Sequence, residues 1–94
     1  MPAYWIAHVT VTDPDAYKGY QSLAQAAFAK YGATFLARGG ESHSPEGASF
    51  DRHVVIVFPD LATAKACYAS PEYQAARQQR IAAAEVMITI VDGI

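Results

Sequence analysis

Two segments of this chain, Arg52–Phe58 (RHVVIVF) and Glu85–Val91 (EVMITIV), are apolar at successive positions and not merely at alternate ones. Side chains of a β-strand point alternately to the two faces of a sheet, so a strand with one wet face should alternate apolar with polar. Both segments therefore need cover on two sides. A chain of 94 residues is one domain, spanning 1–94, with no room for a second. Its helical material, set out next, can cover only one sheet face. A bare second face would expose roughly several hundred Å² of apolar surface, which soluble monomers rarely do. The expected solution is a second copy packed sheet against sheet, a homodimer.

Capping signals divide the rest. Ala3–Thr12 (AYWIAHVTVT) is rich in β-branched and aromatic residues and predicts a first strand, stopped by Asp13-Pro14. Asp13 suits an N-cap and Pro14 the first helical position, where a missing N–H is no loss. Ala16, Tyr17, Tyr20, Leu23, Ala24, Ala27, Phe28 and Tyr31 then recur at helical spacing, and Gly32 suits the residue after the last turn. Ala33–Arg38 predicts a short strand closed by Gly39-Gly40, and Glu41–Asp51 an exposed loop without periodicity. Arg52–Phe58 is the third strand. Asp60 caps a short helix over Leu61–Ala69, and Ser70-Pro71 restarts a helix through about Ala83, before the last strand at Glu85–Val91. The order β-α-β-β-α(α)-β predicts an α+β, ferredoxin-like protomer: a four-stranded, mainly antiparallel sheet with its helices on one face.

Parity assigns the faces. Ala3, Trp5, Ala7, Val9 and Val11 form a wholly apolar set, as do Val54, Ile56 and Phe58, and Val86, Ile88 and Ile90. These are assigned to the helix side, where no polar group need be satisfied. The far face is then expected to carry Tyr4, His8, Thr10, Arg38, His53 and Thr89 among aliphatics. An apolar surface with a few convergent polar groups is the usual form of a small-molecule site.

Composition excludes several partners. Apolar residues are 52% of the chain and charged residues 17%, which suits a folded core. Seven Lys+Arg against nine Asp+Glu give a net charge of −2, and without a basic stripe no nucleic acid is expected. No apolar run approaches the ~20 residues of a membrane span. Met1–Trp5 lacks the basic start of a signal peptide, and the single Cys67 forms no internal disulfide. A cytoplasmic protein without nucleic-acid or membrane partners is expected.

Several short stretches together carry a resemblance: Tyr4 with Ile6-Ala7, the Val11–Pro14 junction followed by Tyr17, Lys30–Gly32, Phe35–Glu41 (FLARGGE), Phe58-Pro59 and Ser70–Arg77 (SPEYQAAR). Over essentially its whole length the chain resembles the domain of unknown function 1330 family, within the dimeric α+β barrel superfamily. The resemblance implies a ferredoxin-like protomer that pairs through its sheets into an α+β barrel. It implies no established activity, and no cofactor is expected. Superfamily relatives include cofactor-free monooxygenases, lactone isomerases and haem-handling enzymes, which makes catalysis an analogy only.

Within the expected barrel, His8 and His53 are the candidate catalytic residues, because imidazole changes charge near neutral pH and serves as acid or base. Two histidines hydrogen-bonded in a dimer interface are the plainer alternative. With no third ligand on that face, no metal is expected. Arg38, beside Gly39-Gly40, could clamp a carboxylate or pair with Glu41; Tyr4, Thr10 and Thr89 complete the expected ligand-binding set. Arg77 and Arg80 are expected to be solvated or paired with Glu72 or Asp60, and Cys67 to be an inert buried thiol. The sequence therefore predicts a homodimer that binds a small, partly apolar molecule in its barrel, with or without turnover. The other reading is an assembly or sensing module whose polar residues only specify the dimer.

Overall fold

A computed structural model describes all of residues 1–94. The elements run β1 (Ala3–Val11), α1 (Pro14–Lys30), β2 (Thr34–Arg38), β3 (Arg52–Phe58), α2 (Leu61–Ala69), α3 (Pro71–Arg80) and β4 (Ala84–Asp92). The sheet order is β2-β3-β1-β4, with every neighbour antiparallel. The ferredoxin-like α+β reading is correct, with β1 and β3 central.

The caps work as their residue types require. Asp13 accepts from the Ala16 N–H at 3.2 Å and Asp60 from that of Thr63 at 2.7 Å. Ser70 does two jobs where α2 meets α3: its hydroxyl donates to the Cys67 carbonyl at 2.6 Å and accepts from the Tyr73 N–H at 3.1 Å. Gly32 takes φ +70° after α1, a left-handed conformation that side-chain-bearing residues resist. The chain leaves α3 at Arg80, earlier than the sequence suggests, because Ala83 turns back to accept from the Thr12 and Asp13 N–H groups.

The core lies between the sheet and the helices. Ala3, Trp5, Ala7 and Val9 are buried on β1, as are Val54, Ile56 and Phe58 on β3, so the parity assignment holds for the central strands. Trp5 is its centre, edge-on to Phe28 at 5.1 Å and Tyr73 at 5.0 Å and stacked on Phe58 at 5.8 Å. The opposite sheet face has no helix over it. Ile6, Val55 and Val57 are half-buried there, while Met87 and Val91 are exposed.

Parity fails on β2. Phe35 pairs with Ile56, but Ala37 pairs with Val55 and Arg38 with Val54, because a bulge lies between Phe35 and Ala37. One extra residue exchanges the faces of everything after it. Ala37 therefore turns to the open face, and Arg38 turns to the helix side.

Candidate functional site

On the open face, His8 and His53 are register partners on β1 and β3, and Met87 stands opposite His8 on β4. The two Nδ1 atoms are 2.8 Å apart, with the rings nearly perpendicular. One ring must donate and the other accept. The Nε2 of His53 is buried without a partner. An orphaned lone pair is better tolerated than an orphaned N–H, which favours His53 donating its Nδ1–H to His8. The Phe50 ring lies 5.9 Å from His8 at the edge of this pair. Tyr4, Thr10 and Thr89 share the face, Thr10 accepting from the Asp51 N–H at 3.4 Å. Two histidines and three hydroxyls thus stand on the expected face, without Arg38.

Two cavities lie on the other side: one is lined by Tyr68, Arg77, Arg80, Val86, Ile88 and Ile90, and the other lies between α1 and the sheet. The latter encloses about 250 Å³ and is lined by 17 residues, 12 of them hydrophobic, including Trp5, Tyr17, Tyr20, Phe28, Phe35, Val54 and Ile56. Its polar lining is Gln21, Gln25 and three arginines: Arg38, Arg52 and Arg80. It contains no acidic residue, and the chain's one ion pair, Lys30 with Glu72, ties the end of α1 to the start of α3. The expected joint site, with a histidine base and the Arg38 anchor on one ligand, does not form. The bulge of β2 separates them by the thickness of the sheet.

Each arginine reaches the cavity by a different local device. Arg38 lays its guanidinium over the Phe35 ring, 3.5 Å from the centroid, at the exposed mouth. Arg52 pairs in register with Val9 and so shares its face. Gly39 makes room for it: φ there is +68°, and a Cβ would collide with the Arg52 guanidinium. Arg80 comes from the last turn of α3 and is 7% exposed, buried and not solvated or paired with Glu72 or Asp60. It lies seven residues after Tyr73 and four after Ala76, both fully buried, and so inherits their helix face.

The buried end of the cavity is a network of phenols and guanidinium. Tyr20 and Tyr73 bring their hydroxyls to 2.9 Å, Arg80 donates an Nη2–H to Tyr73 at 3.2 Å, and its guanidinium lies 5.2 Å from the Tyr20 ring centroid. Burial, then the neighbouring Tyr73, pushes the Tyr20 hydroxyl far above its usual range. Burial also raises Tyr17, against the opposing pull of Arg52 and then Arg80. Burial works against the charge of Arg80, but the Tyr73 and Tyr20 hydroxyls more than offset it, and the group stays cationic. Tyr17 and Tyr20 are therefore neutral at pH 7 and cannot neutralise Arg80. The Nε–H groups of Arg52 and Arg80 are both buried without an acceptor.

Elsewhere the chemistry is sparse. Burial pushes the Cys67 thiol up to about 11, against a thiolate nucleophile. No three His, Cys, Asp or Glu side chains converge as metal ligands. No helix is long and apolar enough to cross a membrane.

Solved structures share this fold at low identity. A protein of unknown function from Rhodopseudomonas palustris aligns with 17% identity and a TM-score of 0.79, over 99% of this chain and 82% of its own. A dimeric ferredoxin-like protein of unknown function from Jannaschia sp. CCS1 aligns with 13% identity and a TM-score of 0.78, over 99% and 100%. SnoaB, a cofactor-independent oxygenase from Streptomyces nogalater, aligns with 14% identity and a TM-score of 0.66, over 99% and 93%. A search of curated proteins finds no match. The sequence profile of the domain of unknown function DUF1330 matches residues 2–94, and with that match over almost its full length the chain belongs to this family.

Proposed function

We propose that the protein is a homodimer whose protomers each bind a small, partly apolar anion in the cavity between α1 and the sheet. One observation carries the ligand: three arginines, Arg38, Arg52 and Arg80, border an aromatic-lined space of about 250 Å³ that contains no acidic residue. A buried guanidinium without a counter-charge is costly, and an incoming anion removes that cost. The neutral phenols of Tyr17 and Tyr20 add hydrogen-bond donors, so the cavity can hold and polarise an oxyanion. This moves the expected ligand from the barrel interior to the protomer.

The open face takes the other role. Ile6, Val55, Val57, Met87 and Val91 give it an apolar surface, with the His8–His53 pair, Tyr4, Thr10 and Thr89 as polar markers. Such a surface suits a second copy, and the dimeric ferredoxin-like relative from Jannaschia is consistent with that use. In this reading the histidines specify the interface, which favours the plainer of their two expected roles.

Trp5 is the chain's single tryptophan and lines the cavity, so its fluorescence reports occupancy directly. Native mass spectrometry of freshly purified protein should find a dimer retaining an organic anion of one or a few rings. Fluorescence should change on adding back the extracted ligand. A monomer at micromolar concentration would overturn the assembly. Retention only of neutral lipids, or a bound molecule that leaves Trp5 unaffected, would overturn the site.

A further inference from the structure

Resting on the cavity reading above, the geometry points to one ligand class: a monocarboxylate on a planar apolar body of about one ring. The head group is set by the donors that lack an acceptor. Within the cavity wall these are the Nε–H of Arg52 and the Nε–H of Arg80, both buried. Arg80 is held before any ligand arrives by its bond to Tyr73 and by the Tyr20 ring. Arg52, Arg80 and the Tyr17 phenol all line this one cavity. Two donors match the two oxygens of a carboxylate. A phosphate brings three or four oxygens, and the surplus would face hydrocarbon without partners.

The third arginine does not change the count. Arg38 is exposed at the mouth and already engaged on the Phe35 ring, so it closes the site over the ligand body and leaves the grip to Arg52 and Arg80. The body lies against Trp5, Phe28, Val54 and Ile56, which offer no hydrogen bond to a polar ring. A space of about 250 Å³ is below the usual ~300–1,000 Å³ of drug-sized sites. It suits a single ring with a short side chain and rejects fused polycycles.

The test titrates the full-length protein with benzoate, phenylacetate, 2-naphthoate, benzamide and inorganic phosphate, by Trp5 fluorescence and calorimetry. Benzoate or phenylacetate should bind saturably. Benzamide, which keeps the shape and loses the charge, should bind about tenfold or more weaker, and naphthoate and phosphate should not saturate. Arg52→Gln should weaken benzoate about tenfold, and Arg80→Met should remove binding. Arg52→Gln, on a half-buried strand end, keeps the question decidable if the Arg80 variant misfolds. Phosphate binding without benzoate would overturn the carboxylate class and leave the anion cavity standing. Equal affinity for benzoate and benzamide would overturn the charged head group. Failure of every probe would overturn the cavity reading itself.

Discussion

Replacing Arg80 by methionine should change the stability of the ligand-free protein by no more than about 2 kcal/mol, although the residue is 7% exposed. Buried side chains usually cost several kcal/mol when removed, and the argument for a smaller effect is electrostatic. Arg80 gains one charge-assisted hydrogen bond to Tyr73 at 3.2 Å, worth about 1.5–3 kcal/mol. Its placement 5.2 Å from the Tyr20 ring centroid adds about 1 kcal/mol. Against these stands the desolvation of a guanidinium with no carboxylate partner, on the order of several kcal/mol. Methionine is unbranched, of similar length and adaptable, so the packing around Tyr73 and Ala76 survives. Tyr73 keeps the Tyr20 hydroxyl at 2.9 Å as a partner. The two sides nearly cancel, as the raised pKa of Arg80 also requires, and the change should lie within about 2 kcal/mol of zero, a shift in Tm of no more than about 8–16 °C for a domain of this size.

The assay is urea unfolding of wild type and variant at one fixed protomer concentration, since association contributes to apparent stability. Tyr73→Phe is the control that should destabilise. It removes the acceptor that Arg80 has and should cost about 2 kcal/mol. A loss above about 2 kcal/mol in Arg80→Met would refute the reasoning. The guanidinium would then be structural, and the case for an anion in the cavity would lose its main support.

Gly39→Ala should cost about 1 kcal/mol for its left-handed backbone, at φ +68°, and should weaken cavity ligands by displacing Arg52; denaturation and a fluorescence titration measure the two effects. Cys67, raised to about 11 by burial, should resist iodoacetamide at pH 8 in the folded protein and react once unfolded. Because its folded pKa lies above the unfolded value, that stabilisation is complete below about pH 9. It should be lost between about pH 9 and 11, on the order of 3 kcal/mol, as pH-dependent urea midpoints would show. His53→Gln should leave benzoate affinity in the cavity unchanged while altering the dimer dissociation constant; a large loss of ligand affinity would contradict the assignment of the pair to the open face.

Most of the fold was legible because its signals are local. Asp13-Pro14, Asp60 and Ser70-Pro71 each place a cap, and three- and four-residue spacings mark the face of α1. The fully apolar parity sets of β1 and β3 located the core. What escaped is non-local. A bulge near Leu36 leaves no mark in ATFLAR, because leucine sits acceptably on either face, and one inserted residue carried Arg38 across the sheet. Arg80 was different, since the signal was present. Tyr73, Ala76 and Arg80 share one face of α3, and the charge of Arg80 obscured that spacing.

The two candidate surfaces are built from the same strands at opposite parity, which restricts the chemistry of each. On β1, Trp5, Ala7 and Val9 face the cavity, while Tyr4, Ile6 and His8 face outward. A strand cannot bring neighbours to one side, so the imidazoles and the guanidiniums never meet over a single ligand. An acid–base step in the cavity could not use His8 or His53. It would have to draw on the phenols of Tyr17 and Tyr20, which burial holds protonated at neutral pH, or on groups of the ligand itself. Protonated phenols beside fixed cations donate hydrogen bonds and stabilise negative charge; they do not abstract protons. The cavity is thereby suited to holding an anion, and to lowering the energy of a negative charge that develops on it.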